Sequence, residues 1–156
     1  MTELSDLYND RIIELAAKIP AARKLATPDA SASAHSKLCG STIAVDLELE
    51  GDKIVDYGQT VRACLLGQAS ASIVANNIVG TSETELREVA GRMRRMLKEN
   101  GPPPDGRWSD LAVLEPVRDV KARHTSTLLV FEAIERALES VRTGRGPAVG
   151  SEATRA

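Results

Sequence analysis

Cys39 and Cys64 are the only thiols in the chain. Each opens a short run of small residues: Leu38-Cys39-Gly40-Ser41, and Ala63-Cys64-Leu65-Leu66-Gly67-Gln68-Ala69-Ser70-Ala71-Ser72. A thiolate is the soft ligand and the nucleophile among side chains, so two lone thiols point to sulfur or metal chemistry. Cys64 stands just before a helix start, where free amide donors and the positive helix end favour an anion. Gly67, Ala69, Ser70, Ala71 and Ser72 leave little bulk on that helix, although small residues serve tight packing equally well. Cys39 shares parity with Ile43, Val45, Leu47 and Leu49, so a strand extended back to it would turn its thiol toward the core row. A small buried apolar residue is the competing reading there, and Gly40 permits a bend directly after it.

His35 and His124 are the only histidines. Arg123-His124-Thr125-Ser126-Thr127 stands at the start of the final helix, where any of the three hydroxyl residues can cap. Neutral imidazole is a common metal ligand, and a surface residue is the alternative. His35 precedes Cys39 by four residues. Fully extended, their Cα atoms would lie roughly 13 Å apart at about 3.3 Å per residue, so one metal takes both only if the chain turns. Cys39, Cys64 and His124 offer three soft or borderline ligands. A fourth would come from His35, Asp46, a substrate cysteine or water, a set that suits Zn²⁺, Fe²⁺ or a [2Fe–2S] cluster. There is no CxxC pair, and the spacing alone does not fix the set. Cys64 and His124 could also pair as nucleophile and base, but no oxyanion-hole motif accompanies them.

The elements that must position these residues follow from periodicity. Leu4, Tyr8, Ile12, Leu15, Ala16 and Ile19 recur at helical spacing up to Pro20. Residues 20–38 carry no sustained helical period and read as an irregular or extended crossing. Ile43, Val45, Leu47 and Leu49 then alternate with Thr42, Ala44, Asp46 and Glu48 as a half-buried strand. Glu50-Gly51-Asp52-Lys53 is a hairpin turn, and a return strand runs from Ile54 toward Val61. Gln68 to Val79 is a helix ended by Gly80. Ser82 and Glu85 form a capping box before a helix with Leu86, Val89, Ala90, Met93, Met96 and Leu97 on one face. Residues 101–120 form a loop holding Trp108. The last helix starts near Thr125, with Leu129, Val130, Ala133, Ile134, Ala137, Leu138 and Val141 in register. The order predicts an α+β domain over residues 1–142: a small antiparallel sheet of about three strands packed by helices. From residue 143 to 156, Gly, Pro, Arg, Ser and Ala without period predict a disordered tail.

Composition narrows the function. The chain has 156 residues and a formal net charge of −2, with no basic footprint for nucleic acid. No segment approaches the roughly 20 apolar residues that span a bilayer, and Met1-Thr2-Glu3-Leu4-Ser5-Asp6 lacks the features of a secretory signal. Two cysteines make no disulfide framework, so a reducing, cytoplasmic setting is expected.

Over about residues 5–140 the chain resembles the iron–sulfur cluster assembly scaffolds of the NifU/IscU/SufU type. Cys39-Gly40-Ser41 is similar to the Cys-Gly-Asp that the sulfur-relay branch carries before its first long strand. Cys64 to Ser72 matches the second cysteine and its serine-rich helix start. Ser126, with Phe131 five positions on, occupies the place of the third cysteine. Ser41 and Ser126 thus stand where the family has Asp and Cys, and a neutral hydroxyl is a poor ligand for soft metals. Arg123 and His124 fall where the family often has a basic residue or histidine. The resemblance implies a NifU/IscU-like fold, with Cys39 and Cys64 as ligands or sulfur acceptors and Ser126 beside them. It implies a cysteine desulfurase as sulfur donor, apo iron–sulfur proteins as recipients, and iron or a [2Fe–2S] cluster, alternatively zinc, as the bound species. A homodimer would supply four thiolates. Three readings stand open: a cluster scaffold, a persulfide relay through Cys64 or Cys39, and a metal-free binding module.

Overall fold

The computed structural model describes residues 9–37 and 40–142. Helix α1 spans Asp10–Ala17 and buries Ile12, Leu15 and Ala16; its first turn is capped by Asn9, whose side chain accepts from the Ile12 amide at 2.9 Å. The part of this helix expected at Leu4 and Tyr8, and the tail expected from residue 143, lie outside the described residues.

Three antiparallel strands follow in spatial order β1-β2-β3: β1 Ala30–His35, β2 Thr42–Glu50 and β3 Lys53–Arg62. The two-residue turn Gly51-Asp52 joins β2 to β3, with Gly51 at φ +64°, where a Cβ would be strained. Cross-strand register fixes the faces. Ala30, Leu47 and Tyr57 share the inner face with Ala32, Val45 and Gln59, and with Ala34, Ile43 and Val61. The outer face carries Ser31, Asp46 and Gly58, then Ser33, Ala44 and Thr60, then His35, Thr42 and Arg62.

β1 lies within the segment whose sequence shows only an irregular or extended crossing. Its inner row is all alanine, and alanine has weak strand preference, so the local signal is faint. The same alanines explain its position: with small side chains on β1, the long helix α4, His124–Arg142, lies close over β1 and β2. Helix α2, Leu65–Asn77, packs beside it against β3 and α1. α2 begins three residues before the expected Gln68, which sets Cys64 at its cap.

Helix α3, Glu83–Lys98, buries the expected face of Leu86, Val89, Ala90, Met93, Met96 and Leu97. The Ser82 hydroxyl accepts from the Glu85 amide at 3.0 Å, while the Glu85 carboxylate accepts from the Trp108 indole at 2.9 Å. Much of the expected loop at 101–120 is ordered as a run of 3-10 turns over Gly106–Asp119, burying Trp108, Leu111, Leu114 and Val117. Its three-residue spacing of Trp108, Leu111, Leu114 and Val117 matches a 3.0-residue turn, which the presence of three prolines just upstream obscured.

A strap over residues 23–29 ties the outer face. The Arg23 amide donates to the Gln59 carbonyl at 3.1 Å, and its guanidinium donates to Asp56 at 2.8 and 3.0 Å. Asp46 accepts from the Leu25 amide at 3.0 Å and from the Ser31 hydroxyl at 2.6 Å. Gly58 makes the close approach possible, because a Cβ there would stand 2.6 Å from the Arg23 carbonyl oxygen.

Two outcomes follow from the strap. Gly58→Ala will force it outward at a cost of about 1–3 kcal/mol, measurable by urea denaturation. The hydrogen bond from Arg23, then that from the Tyr57 amide, hold the Asp56 carboxyl below its ordinary value. A depressed folded-state value adds stability above the ordinary carboxylate range, and that stability is lost as pH falls through the depressed value. Arg23→Gln will therefore be less stable than the parent at neutral pH, with a gap that closes as Asp56 protonates in acid. A gap independent of pH contradicts this account.

Candidate functional site

β3 ends at Arg62, and two residues later Cys64 caps α2 in an extended conformation, φ −68° and ψ 173°. The thiol is half-buried and is unpaired with any other cysteine. It donates to the Ser126 hydroxyl at 3.5 Å, bringing the start of α2 against the start of α4. Ser126 donates in turn to the Arg123 carbonyl at 3.2 Å, and Thr127 donates to that same carbonyl at 2.8 Å. This shared acceptor has a chemical consequence. When Cys64 ionises, Ser126 can turn its proton to the sulfur while Thr127 continues to satisfy the Arg123 carbonyl.

Gly67 permits the contact. A Cβ on it would meet the Ala63 Cβ at 2.8 Å and the Ser126 carbonyl oxygen at 3.2 Å, so α2 and α4 can approach here only without a side chain. In the sequence Gly67 is one small residue among several; only its position opposite Ser126 makes it necessary. Gln68 adds a local tie, donating to the Ala63 carbonyl at 2.9 Å.

His124 is the first residue of α4 and is buried. Its Nε2 lies 3.1 Å from the Val117 carbonyl and 3.2 Å from the Arg118 carbonyl. Carbonyl oxygens only accept, so Nε2 carries a proton and donates to them. The imidazole thereby fastens the end of the 3-10 run to α4. The sequence showed a histidine at a helix start and gave no sign of these carbonyls, which belong to the 3-10 run six and seven residues earlier.

Cys39 lies outside the described residues, but its flanks are defined. The Ser36 amide donates to the Ser41 carbonyl at 2.8 Å, and the Gly40 amide to the Ser36 carbonyl at 2.8 Å. Gly40 has φ +73°. Ser36, Gly40 and Ser41 thus lie outside the paired strands, and β2 begins at Thr42 rather than reaching back to Gly40. The chain turns after His35, as a shared ligand role with Cys39 would require. His35 itself is exposed on the outer face with Nδ1 3.1 Å from the Thr42 hydroxyl, whereas α2 and α4 cover the inner face. Asp46 is occupied with the strap, four residues along β2 from Thr42 and so roughly 13 Å from the thiol end of the sheet at about 3.3 Å per residue. The topology therefore gathers Cys64, Ser126 and His124 at the end of the sheet where β2 begins, and leaves Asp46 away from them. Among the described residues no group of three or more His, Cys, Asp or Glu is placed to hold a metal ion. No helix among them is long and apolar enough to cross a membrane.

Gly67→Ala will separate α2 from α4, lower the melting temperature and speed alkylation of Cys64. His124→Ala will remove the donor to the Arg118 carbonyl, while the Val117 carbonyl still accepts from the Val120 amide, at a cost of about 1–3 kcal/mol. His124→Gln, which can still donate from its amide, will recover part of that loss in thermal denaturation.

Similarity to known proteins agrees with this arrangement. No family model matches the chain. A solved NifU-like protein (N-terminal) from Brucella abortus, described as nitrogen-fixing, is 48% identical, covers 90% of this chain and 97% of its own, and superposes with a TM-score of 0.87. A Fervidobacterium islandicum protein assigned to the SUF system as an iron–sulfur cluster assembly scaffold shares the fold, with a TM-score of 0.79 at 20% identity over 87% of this chain and 99% of its own. Two curated scaffold proteins named IscU are also similar. The one from Thermotoga maritima is 21% identical over 86% of this chain and 94% of its own length. The one from Streptococcus pyogenes is 23% identical over 67% of this chain and 66% of its own length. With nearly half its residues shared over almost the whole length of the Brucella protein, the chain belongs to the NifU-like family of the NifU/IscU/SufU type.

Proposed function

We propose that this protein is an iron–sulfur cluster assembly scaffold, carrying iron or a labile [2Fe–2S] cluster as cargo and passing it to apo-proteins. The observation that carries the reading is the membership in the NifU-like family together with Cys64 at the head of α2, against Ser126 at the start of α4. Cys39 and Cys64 supply the thiolates, with Nδ1 of His124 as the remaining imidazole donor. Ser126 serves as a hydrogen-bond donor to sulfur rather than as a ligand, because a neutral hydroxyl is a poor partner for soft metals. Few and exchangeable ligands suit a carrier that must release what it holds. Two subunits would together offer four thiolates, and a cysteine desulfurase is the sulfur donor this reading requires. Zinc is the alternative occupant, and a reducing compartment is the expected setting.

The Cys64–Ser126 contact favours a second reading, a sulfur relay. The Cys64 thiolate attacks the outer sulfur of a donor persulfide, forming a new S–S bond as the donor leaves as its own thiolate. Cys64 is left as the persulfide, and no oxidant is consumed. Ser126, freed from the Arg123 carbonyl by Thr127, is positioned to donate to the new terminal sulfur.

Iron, zinc and acid-labile sulfide per chain, measured on protein purified without oxygen, test both readings. Iron with matching sulfide that is lost in Cys64→Ser and in Cys39→Ser is the scaffold outcome. Zinc or no metal, with persulfide on one cysteine after exposure to a desulfurase and cysteine, is the relay outcome. Cys64→Ser that leaves both metal and persulfide unchanged refutes the two together. Ser126→Cys places a second sulfur beside Cys64 and will retain zinc more tightly against a chelator than the parent does.

A further inference from the structure

We propose that the free edge of β1 is a self-pairing edge: a second copy of this chain adds its own β1 antiparallel there, and Arg136 of α4 gates the addition. Hydrogen-bond parity defines the edge. In an antiparallel ladder alternate residues turn their backbone N–H and C=O toward the partner strand, and the residues between turn theirs away. The Ser36 amide donates to the Ser41 carbonyl at 2.8 Å, so that residue faces β2. Counting back along the register, Ala34, Ala32 and Ala30 face β2 as well. Ser31, Ser33 and His35 therefore direct their backbone groups outward. Arg136 bears this out, its guanidinium donating to the Ser33 carbonyl at 3.1 Å. Among the described residues no backbone of the chain pairs with this side of β1.

The two edges of the sheet are treated differently. The β3 edge is covered by its own chain. The Gln59 carbonyl there accepts from the Arg23 amide, the Ile54 amide donates to the Thr81 carbonyl, and the Ile54 carbonyl accepts from the Gly80 amide. β1 has none of the usual devices that blunt an edge: no proline, no bulge against β2, and no Lys, Arg, Asp or Glu from Ala30 to His35. One guanidinium stands in for them. Arg136 also pairs with Glu132 at 2.7 Å, and its side chain is 57% exposed, so it can swing off Ser33 without unpacking α4.

A second β1 is the occupant that the pattern fits. About a two-fold axis at Ala32, Ala30 lies opposite the partner's Ala34. Ser31 lies opposite the partner's Ser33, and their outward groups exchange both N–H···O bonds. The same register brings Asp29, exposed just before β1, opposite the partner's His35, a carboxylate against an imidazole at both ends of the pair. Six residues a side bury far less than the roughly 1,600 Å² of a standard interface, so pairing is weak and one guanidinium suffices to oppose it. Antiparallel pairing sends the two thiol ends in opposite directions, with the His35 Cα atoms roughly 20 Å apart at about 3.3 Å per residue. Such a pair keeps its Cys64 sites separate and does not depend on the cargo reading; pooling of thiolates by two subunits needs a different contact.

Sedimentation equilibrium of the full-length protein, in reductant and chelator, tests the edge. Arg136→Met keeps the stem and removes the donors, and it should lower the dimer dissociation constant severalfold relative to the parent. Adding Ser33→Pro removes an outward N–H, leaves the ladder to β2 intact, and should return the protein to monomer. Ser33→Lys, a charge on the edge, takes its place should the proline variant fail to fold. Amide exchange at Ser31 and Ser33 should slow with protein concentration in Arg136→Met. The proposal is overturned by a folded Arg136→Met protein that stays monomeric at the highest attainable concentration, or by a parent that dimerises as tightly. A dimer that survives the Ser33 changes, exchange at those amides independent of concentration, or open-ended polymers in place of dimers overturn it too. Neither metal nor disulfide is present in this experiment, so the edge and the cargo reading fail separately.

Discussion

The close meeting of two helix starts is the constraint on which the site depends. Cys64 caps α2 and Ser126 lies in the first turn of α4, and the approach of the two depends on a missing Cβ at Gly67. Close packing gives such a contact little tolerance, since a single methyl at 2.8 Å from Ala63 must displace backbone. The thiol's environment is consequently set by helix placement rather than by a local loop. The His124 clamp on the Val117 and Arg118 carbonyls acts in the same sense, fixing where α4 begins relative to the 3-10 run before it.

Support for that meeting comes from the sheet. Alanines on the inner face of β1 let α4 settle low over β1 and β2, while larger Ile43, Val45 and Leu47 fill the space beneath it. Gln59 is a polar residue on this inner face, and it is satisfied: it donates to the Ala71 carbonyl at 3.2 Å and accepts from the Tyr57 hydroxyl at 2.6 Å. Burial raises the Tyr57 phenol far above its ordinary value, so it remains a neutral donor. This network ties β3 to α2, the helix that Cys64 caps.

In the proposed reading Ser126 stands where the family has a third cysteine, which bears on what the Cys64 thiol meets. A thiolate neighbour would compete with Cys64 for a metal and repel its negative charge. The Ser126 hydroxyl, 3.5 Å away, instead accepts from the Cys64 thiol and gives its own proton to the Arg123 carbonyl, and a neutral hydroxyl is a poor ligand for soft metals.

The sequence by itself determined the elements whose pattern is strong and local: the alternating strand at Thr42–Glu50, its two-residue turn, the amphipathic α3 with its Ser82 cap, and Cys64 at the head of a small-residue helix. Each depends on neighbours within a few positions, which periodicity and capping record. β1 was faint because an Ala-Ser alternation carries little hydrophobic contrast, and its identity as a strand is conferred by β2 beside it. The 3-10 run was hidden for a similar reason, as its apolar spacing acquires meaning only against α2 and α3. Only the tertiary structure decided the partners: Ser126 on Cys64, carbonyls on His124, the strap on Asp46, and His35 on the face away from the helices. Those pairings join residues whose separation in the chain reaches 62 positions for Cys64 and Ser126, and no local pattern encodes which distant surfaces close packing will bring together.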